Sequence, residues 1–286
     1  MKTFAAVAGK IALSFIVVLL ISVVVGVVYT VIAVASGTGL EDIQSASQDN
    51  LWMQIIQTIL FTASALGMYA LFERKKRWPL GLRQQDGGIM LVHGMLAGIV
   101  LISLAAVLIW AFGGVSWTLG NWNSELTAAL LKGLVLFIFV AVSEEVYSRG
   151  YVQGLLRYHY GSKAAIIVTS LLFALLHSMN PGILDSPLPI INLILAGLIF
   201  GIARELTGGL WWPIGMHLTW NYLQGNIYGF NVSGTTVDDS ILYTTDKGPA
   251  WLSGASFGIE GSLISIIMLL AGITVVYFLY RRKNRA

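Results

Sequence analysis

Residues 126–149 read LTAALLKGLVLFIFVAVSEEVYSR, an apolar run over 126–142 that closes on two adjacent acids, Glu144 and Glu145, with Arg149 four positions after the second. A charge in hydrocarbon costs about 2.5 to 3.5 kcal/mol on insertion scales. Three charges so close together therefore need a physical reason. The run itself has the length and apolarity of a bilayer helix, which needs about 20 mainly apolar residues. It sets the expectation for the whole chain: membrane helices, one of which carries ionisable groups into or beside the hydrocarbon.

The surrounding sequence agrees. Of 286 residues, 56% are hydrophobic and 11% charged, against about 25% charged in a soluble domain. This implies an all-α polytopic membrane protein, a single membrane domain over 1–286, with no room for a soluble catalytic or nucleic-acid-binding module. The absence of cysteine excludes disulfides, thiolate metal sites and a Cys nucleophile. Eight candidate spans follow, at 11–35, 51–72, 88–112, 126–142 continuing as a more polar helix to 158, 164–177, 189–206, 210–228 and 262–280. The first reads as a retained anchor, too long for a signal-peptide core.

With eight spans, 15 of the 17 Lys and Arg fall on one side, leaving Lys132 and Lys247 elsewhere. The positive-inside rule then predicts cytoplasmic termini in a multi-pass cell-membrane protein. Glu41, Asp42, Asp49, Asp185, Asp238, Asp239 and Asp246 fall on the opposite side. There too lies the Gly-, Ser- and Thr-rich segment 229–260, which reads as a surface loop or lid.

Three polar constellations interrupt the apolar helices. In the first, Glu145 and Arg149 form an i, i+4 pair while Glu144 points about 100° away, leaving one acid paired and one free. The second is Phe173 with His177 at the end of an apolar span. The third is His217 with Asn221, one turn apart on one face. Each alone is also explained by helix packing or an interfacial helix end.

Their depths bring them together. A short polar turn between Tyr160 and Gly161 makes a hairpin in which Glu144 and His177 are equally far from the tip, roughly 25 Å at 1.5 Å per residue. With the basic tip projecting, this predicts a site in the cytoplasmic half of the bilayer. A second turn at Thr207, Gly208 and Gly209, followed by interfacial Trp211 and Trp212 and by Pro213, sets His217 and Asn221 roughly 12 and 18 Å beyond it. A carboxylate, two imidazoles and a carboxamide at one level suit water activation, with Glu144 as general base. The imidazoles would orient the water, bind a metal or stabilise an oxyanion with Asn221. Zinc stays open: Glu144, His177 and His217 would supply three ligands, but a ligating Glu144 is not free to act as base.

These residues resemble the CPBP intramembrane proteases, also called the Abi family, which include type II CAAX prenyl endopeptidases and bacteriocin-processing or immunity membrane proteins. The EExxxR motif is matched by Glu144, Glu145 and Arg149, FxxxH by Phe173 and His177, and HxxxN by His217 and Asn221. The resemblance implies catalytic roles for Glu144, His177, His217 and Asn221, with Glu145 and Arg149 supporting, and 126–228 as the catalytic core helices. It further implies endopeptidase cleavage of a membrane-tethered peptide or protein, at a site open to the cytoplasm. The rival from another class is a non-proteolytic transporter or bacteriocin-immunity scaffold that uses the same polar cluster. Outside the motifs, Glu260 reads as a cap of the last helix. Lys132 reads as snorkelling outward, and His93 and His159 as unrelated packing or interfacial residues.

Overall fold

The computed structural model describes residues 2–39 and 50–283. Glu41, Asp42 and Asp49, expected on the acidic side, and Arg285, one of the 15 basic residues expected on the other, lie outside them. The long helices are α1 (Lys2–Ala35), α2 (Leu51–Met68), α3 (Gly87–Ala111), α4 (Ser124–Glu145), α5 (Gln153–Leu176), α6 (Leu188–Thr207), α7 (Trp211–Tyr222) and α8 (Leu263–Lys283). Two short strands, β1 (Val115–Leu119) and β2 (Leu242–Asp246), pair antiparallel at one end of the bundle, with Val115 opposite Asp246.

Local chemistry sets the boundaries. Asn50 and Asn123 cap α2 and α4, their side-chain oxygens accepting backbone N–H bonds of the first turns, as N-cap residues do. Gly208, in the left-handed region at φ 79°, ends α6. Gly161, at φ 81° and ψ 167°, breaks α5 and lets the chain reverse.

Six helical stretches among the described residues are long and apolar enough to cross a membrane, and α4 with α5 count as one stretch, Ser124–Leu176. The expected count of eight is not reached by length for two reasons. The Gly161 hairpin joins two spans, and α7 with the π-helical segment that continues it, Leu223–Ile227, rises only roughly 25 Å against a hydrocarbon core of about 30 Å.

Burial separates periphery from centre. The most apolar window of α1 is 11% buried and that of α6 44%, so α1 faces lipid while α6 belongs to the core. The tightest packing joins α3 to α7. A Cβ at Gly94 would run into the Trp212 carbonyl oxygen, one at Gly98 into Thr219 Oγ1, and one at Gly215 into the Leu91 carbonyl oxygen. Helices in lipid associate through such close backbone approach because no hydrophobic force separates lipid from protein. This contact buries Trp212, expected at the interface, to 1% exposure. Trp211 is the partly exposed one and donates its Nε1–H to the Leu82 carbonyl at 3.0 Å.

Candidate active site

Immediately after Glu145 the helix widens into a π-helical segment, Val146–Val152. A second follows α7 at Leu223–Ile227. Single π turns insert an extra residue and re-aim the side chains around them. Here the first starts just after Glu145 and contains Arg149, and the second follows His217 and Asn221 on the facing helix.

Glu145 and Arg149 are fully buried, and Arg149 Nη1–H donates to Glu145 Oε1 at 2.9 Å. The same oxygen accepts from His217 Nδ1–H at 3.1 Å. The paired acid therefore does more than neutralise Arg149: it fixes the imidazole of His217 with Nε2 turned the other way. The Arg149 guanidinium lies over Phe173 at 4.2 Å and Phe200 at 5.0 Å. Phe200 also stacks on His217 at 5.1 Å and 16°. Phe200, which carries no sequence motif, thus walls the site.

Glu144 faces the opposite way. Its Oε2 stands 3.9 Å from His177 Nε2 and 3.9 Å from His217 Nε2, and has no hydrogen-bond partner. His177 is held from behind, its Nδ1–H donating to the Phe173 carbonyl at 2.8 Å. The FxxxH spacing is thereby explained, since one residue supplies both a ring against His177 and the acceptor that orients it. Asn221 is buried and lines the same space. Glu144, His177 and His217 thus come together, with Glu145 and Arg149 beneath and Asn221 on the wall of the same cavity.

Among the described residues no three His, Asp or Glu are close enough to hold a metal ion. Zinc ligands sit about 2.0 to 2.2 Å from the ion, which sets tetrahedral donors roughly 3.4 Å apart; Glu144 Oε2 is 3.9 Å from each imidazole Nε2, somewhat wider than that. The donor types suit zinc, but this arrangement is not a closed ligand set.

The site is the floor of a cavity of about 1360 Å³. Its walls are Gly26, Tyr29 and Thr30 of α1, the first turns of α2, the α4 face from Ala129 to Glu144, and residues 232–238 of the connecting loop. All lie toward the helix ends opposite Arg74, Lys75, Lys76, Arg157 and Lys163. On the basic side the floor is sealed by buried Glu145, Tyr147, Arg149 and Tyr151. The cavity thus extends away from the basic side, the side expected to carry the opening. The hairpin tip is a poor depth marker because Gly150, three turns short of it, already packs against Leu210 at the start of α7.

The loop contributes a group that sequence reasoning placed elsewhere. Ser262 caps α8, its Oγ accepting from Ser265 N–H at 3.1 Å. Glu260 instead accepts from Ser233 N–H and Oγ–H, both at 2.7 Å, and lines the cavity. Burial pushes its carboxyl upward from the ordinary value, while the Ser233 bonds and nearby His177 offset part of that rise. Lys132 lines the cavity as well. His93 hydrogen-bonds Tyr280 at 3.0 Å, and His159 lies between Tyr158 and Tyr160 at the hairpin tip, both away from the site.

The three motifs meeting around one carboxylate is the decisive geometry. Residues 126–223 match the type II CAAX prenyl endopeptidase Rce1-like family. The matched segment holds Glu144, Glu145, Arg149, Phe173, His177, His217 and Asn221, and the resemblance to the CPBP proteases is shown over it. An Escherichia coli protein described as an uncharacterized 24.3 kDa protein is 33% identical over 98 residues, covering 34% of this chain and 43% of that protein. The chain thus spans less than half the length of this relative. With six apolar helical stretches among the described residues and a match to a family of membrane peptidases, the chain is a multi-pass membrane protein.

Proposed function

We propose that this protein is an intramembrane endopeptidase of the CPBP type, with the helices of 126–228 as its catalytic core within a single membrane domain. Glu144 accepts a proton from water and returns it to the leaving amine. The observation that carries this is the unpartnered Oε2 of Glu144, 3.9 Å from two imidazole Nε2 atoms at the floor of a cavity. A water oxygen fits between groups so spaced, because two hydrogen bonds of about 2.8 Å meeting at an angle span such a gap. His177, with Nδ1–H committed to Phe173, offers Nε2 to a hydrogen of that water. Once the tetrahedral intermediate forms, Asn221 Nδ2–H supplies a donor to its oxyanion. Glu145 and Arg149 position His217.

The substrate is a peptide segment tethered in the bilayer, for which a cavity walled by membrane helices and loop 232–238 gives room. By the positive-inside rule the basic ends lie in the cytoplasm, and the cavity then opens on the other face. The sealed floor argues against the transporter reading, which needs a path continuing past the site.

The test is reconstitution of purified protein into vesicles with a membrane-anchored peptide, followed by mass spectrometry. The expected result is two fragments whose masses sum to that of the peptide plus one water. Intact peptide over a panel of varied sequences would refute the reading.

A further inference from the structure

Lys132 is the basic residue out of place. It sits within α4, where an ammonium facing lipid would cost about 2.5 to 3.5 kcal/mol. Instead it lines the cavity, whose acidic residues are Glu144, Asp238 and Glu260; among the described residues it is the one Lys or Arg on that wall. It is exposed and makes no ion pair within 4 Å among the described residues.

A second observation lies beside it. Asn226, 1% exposed, packs against Gly133, the next residue of α4, where a Cβ would collide with its carboxamide. Its Nδ2–H donates to the Asp239 carbonyl at 3.2 Å. Its Oδ1 is buried against Gly133 without a hydrogen-bond partner, and the residue lines the cavity. An unpartnered buried acceptor costs about 1 to 3 kcal/mol, so an arriving donor is favoured there.

We infer that Lys132 and Asn226 form a subsite for a carboxylate-bearing part of the substrate peptide, the ammonium pairing the carboxylate and Asn226 Oδ1 accepting a backbone N–H. Lys132 lies just over three turns from Glu144 along α4, roughly 18 Å of rise. Allowing about 6 Å for the lysine stem, the span left is that of about three or four extended residues. The carboxylate is thus either the C-terminus of a short released fragment or an acidic side chain at that distance. Everything else charged on the cavity wall repels an anion, so the subsite also sets the direction in which the peptide lies.

This rests on the protease reading, and the experiment separates the two. Wild type and Lys132→Met are compared in phosphatidylcholine vesicles on four peptides: free C-terminus or C-terminal amide, each with Asp or Asn at the fourth position beyond the cut. The expected result is a KM roughly tenfold lower for one carboxylate-bearing member, about one charge-assisted contact, with the preference lost in Lys132→Met and kept in Lys132→Arg. Preference for the free acid identifies the C-terminus, and preference for Asp the side chain; either supports the subsite. Equal KM values across the peptides overturn it. So does a Lys132 effect that emerges only when phosphatidylglycerol is added, which assigns the ammonium to a lipid headgroup. No cleavage of any peptide by wild type is a failure of the protease reading instead.

Discussion

Glu145 Oε1 accepts hydrogen bonds from both Arg149, four residues on, and His217, 72 positions away in sequence. One oxygen thereby ties the helix end of the first motif to the imidazole of the third. Stability and the aim of His217 depend on the same atom, while the cavity side of the cluster is left to half-buried Glu144.

Removing that atom is expected to be costly. Glu145→Ala leaves Arg149 buried and unpaired, which costs about 3 to 5 kcal/mol. Because Arg149 Nε and Nη2 already lack partners, the pair is imperfectly satisfied, and the apolar double replacement Glu145→Leu with Arg149→Met should recover most of the loss. Thermal midpoints in detergent check this: a low value for the single variant and a near-native one for the double, both without cleavage activity. A single variant as stable as wild type would contradict the shared role.

The α3 and α7 contact makes a packing prediction. Gly94→Val forces a side chain into the Trp212 carbonyl, and overpacking of this kind costs typically about 1 to 3 kcal/mol or more. Gly9→Ala in lipid-facing α1, where a Cβ meets nothing within 4 Å, is expected to be neutral or to gain up to about 1 kcal/mol. Monodisperse yield and thermal midpoint should fall sharply for the first and hold for the second.

Glu260 gives stability a pH dependence. Its carboxyl is raised in the folded protein, chiefly by burial, above the ordinary 4.5. A raised group contributes stability that is present below the unfolded value and lost as pH rises through the folded one. Stability should therefore decline upward from pH 4.5, and Glu260→Gln, which can still accept from Ser233, should flatten that decline. Parallel pH profiles of the thermal midpoint in the two proteins would contradict this.

The absence of native cysteine allows a clean test of orientation. A cysteine at exposed Thr236 beside the cavity is expected to react with an impermeant maleimide on whole cells. One at exposed Arg83, on the basic side, should react only after lysis. The reverse pattern would place the cavity mouth in the cytoplasm.

The level of Glu144 with His177 was legible in the sequence because one helical hairpin, turned at Gly161, converts residue counts directly into depth. The separation of a paired from a free acid was legible for the same reason, since i, i+4 geometry is local. The Glu145 bond to His217 was not, because it joins residues 72 positions apart on helices whose relative rotation no local spacing sets. Glu260 and Lys132 were misplaced because each has a local explanation, a cap and a snorkelling stem, that the tertiary contacts override. The extent of the cavity toward the other helix ends was not legible, because the hairpin tip runs three turns past the start of α7 and sequence spacing does not tell how far one hairpin projects beyond another.

The central claim is that Glu144 activates water. The most direct measurement is the cleavage rate of an anchored peptide by Glu144→Gln relative to wild type, in the same vesicles and at equal folded fraction. Loss of a general base costs typically about 10² to 10⁴ in rate. Glu144 Oε2 makes no hydrogen bond, so the thermal midpoint should be unchanged. A fall of that size with an intact fold is the predicted result. Cleavage within a few-fold of wild type would contradict the account.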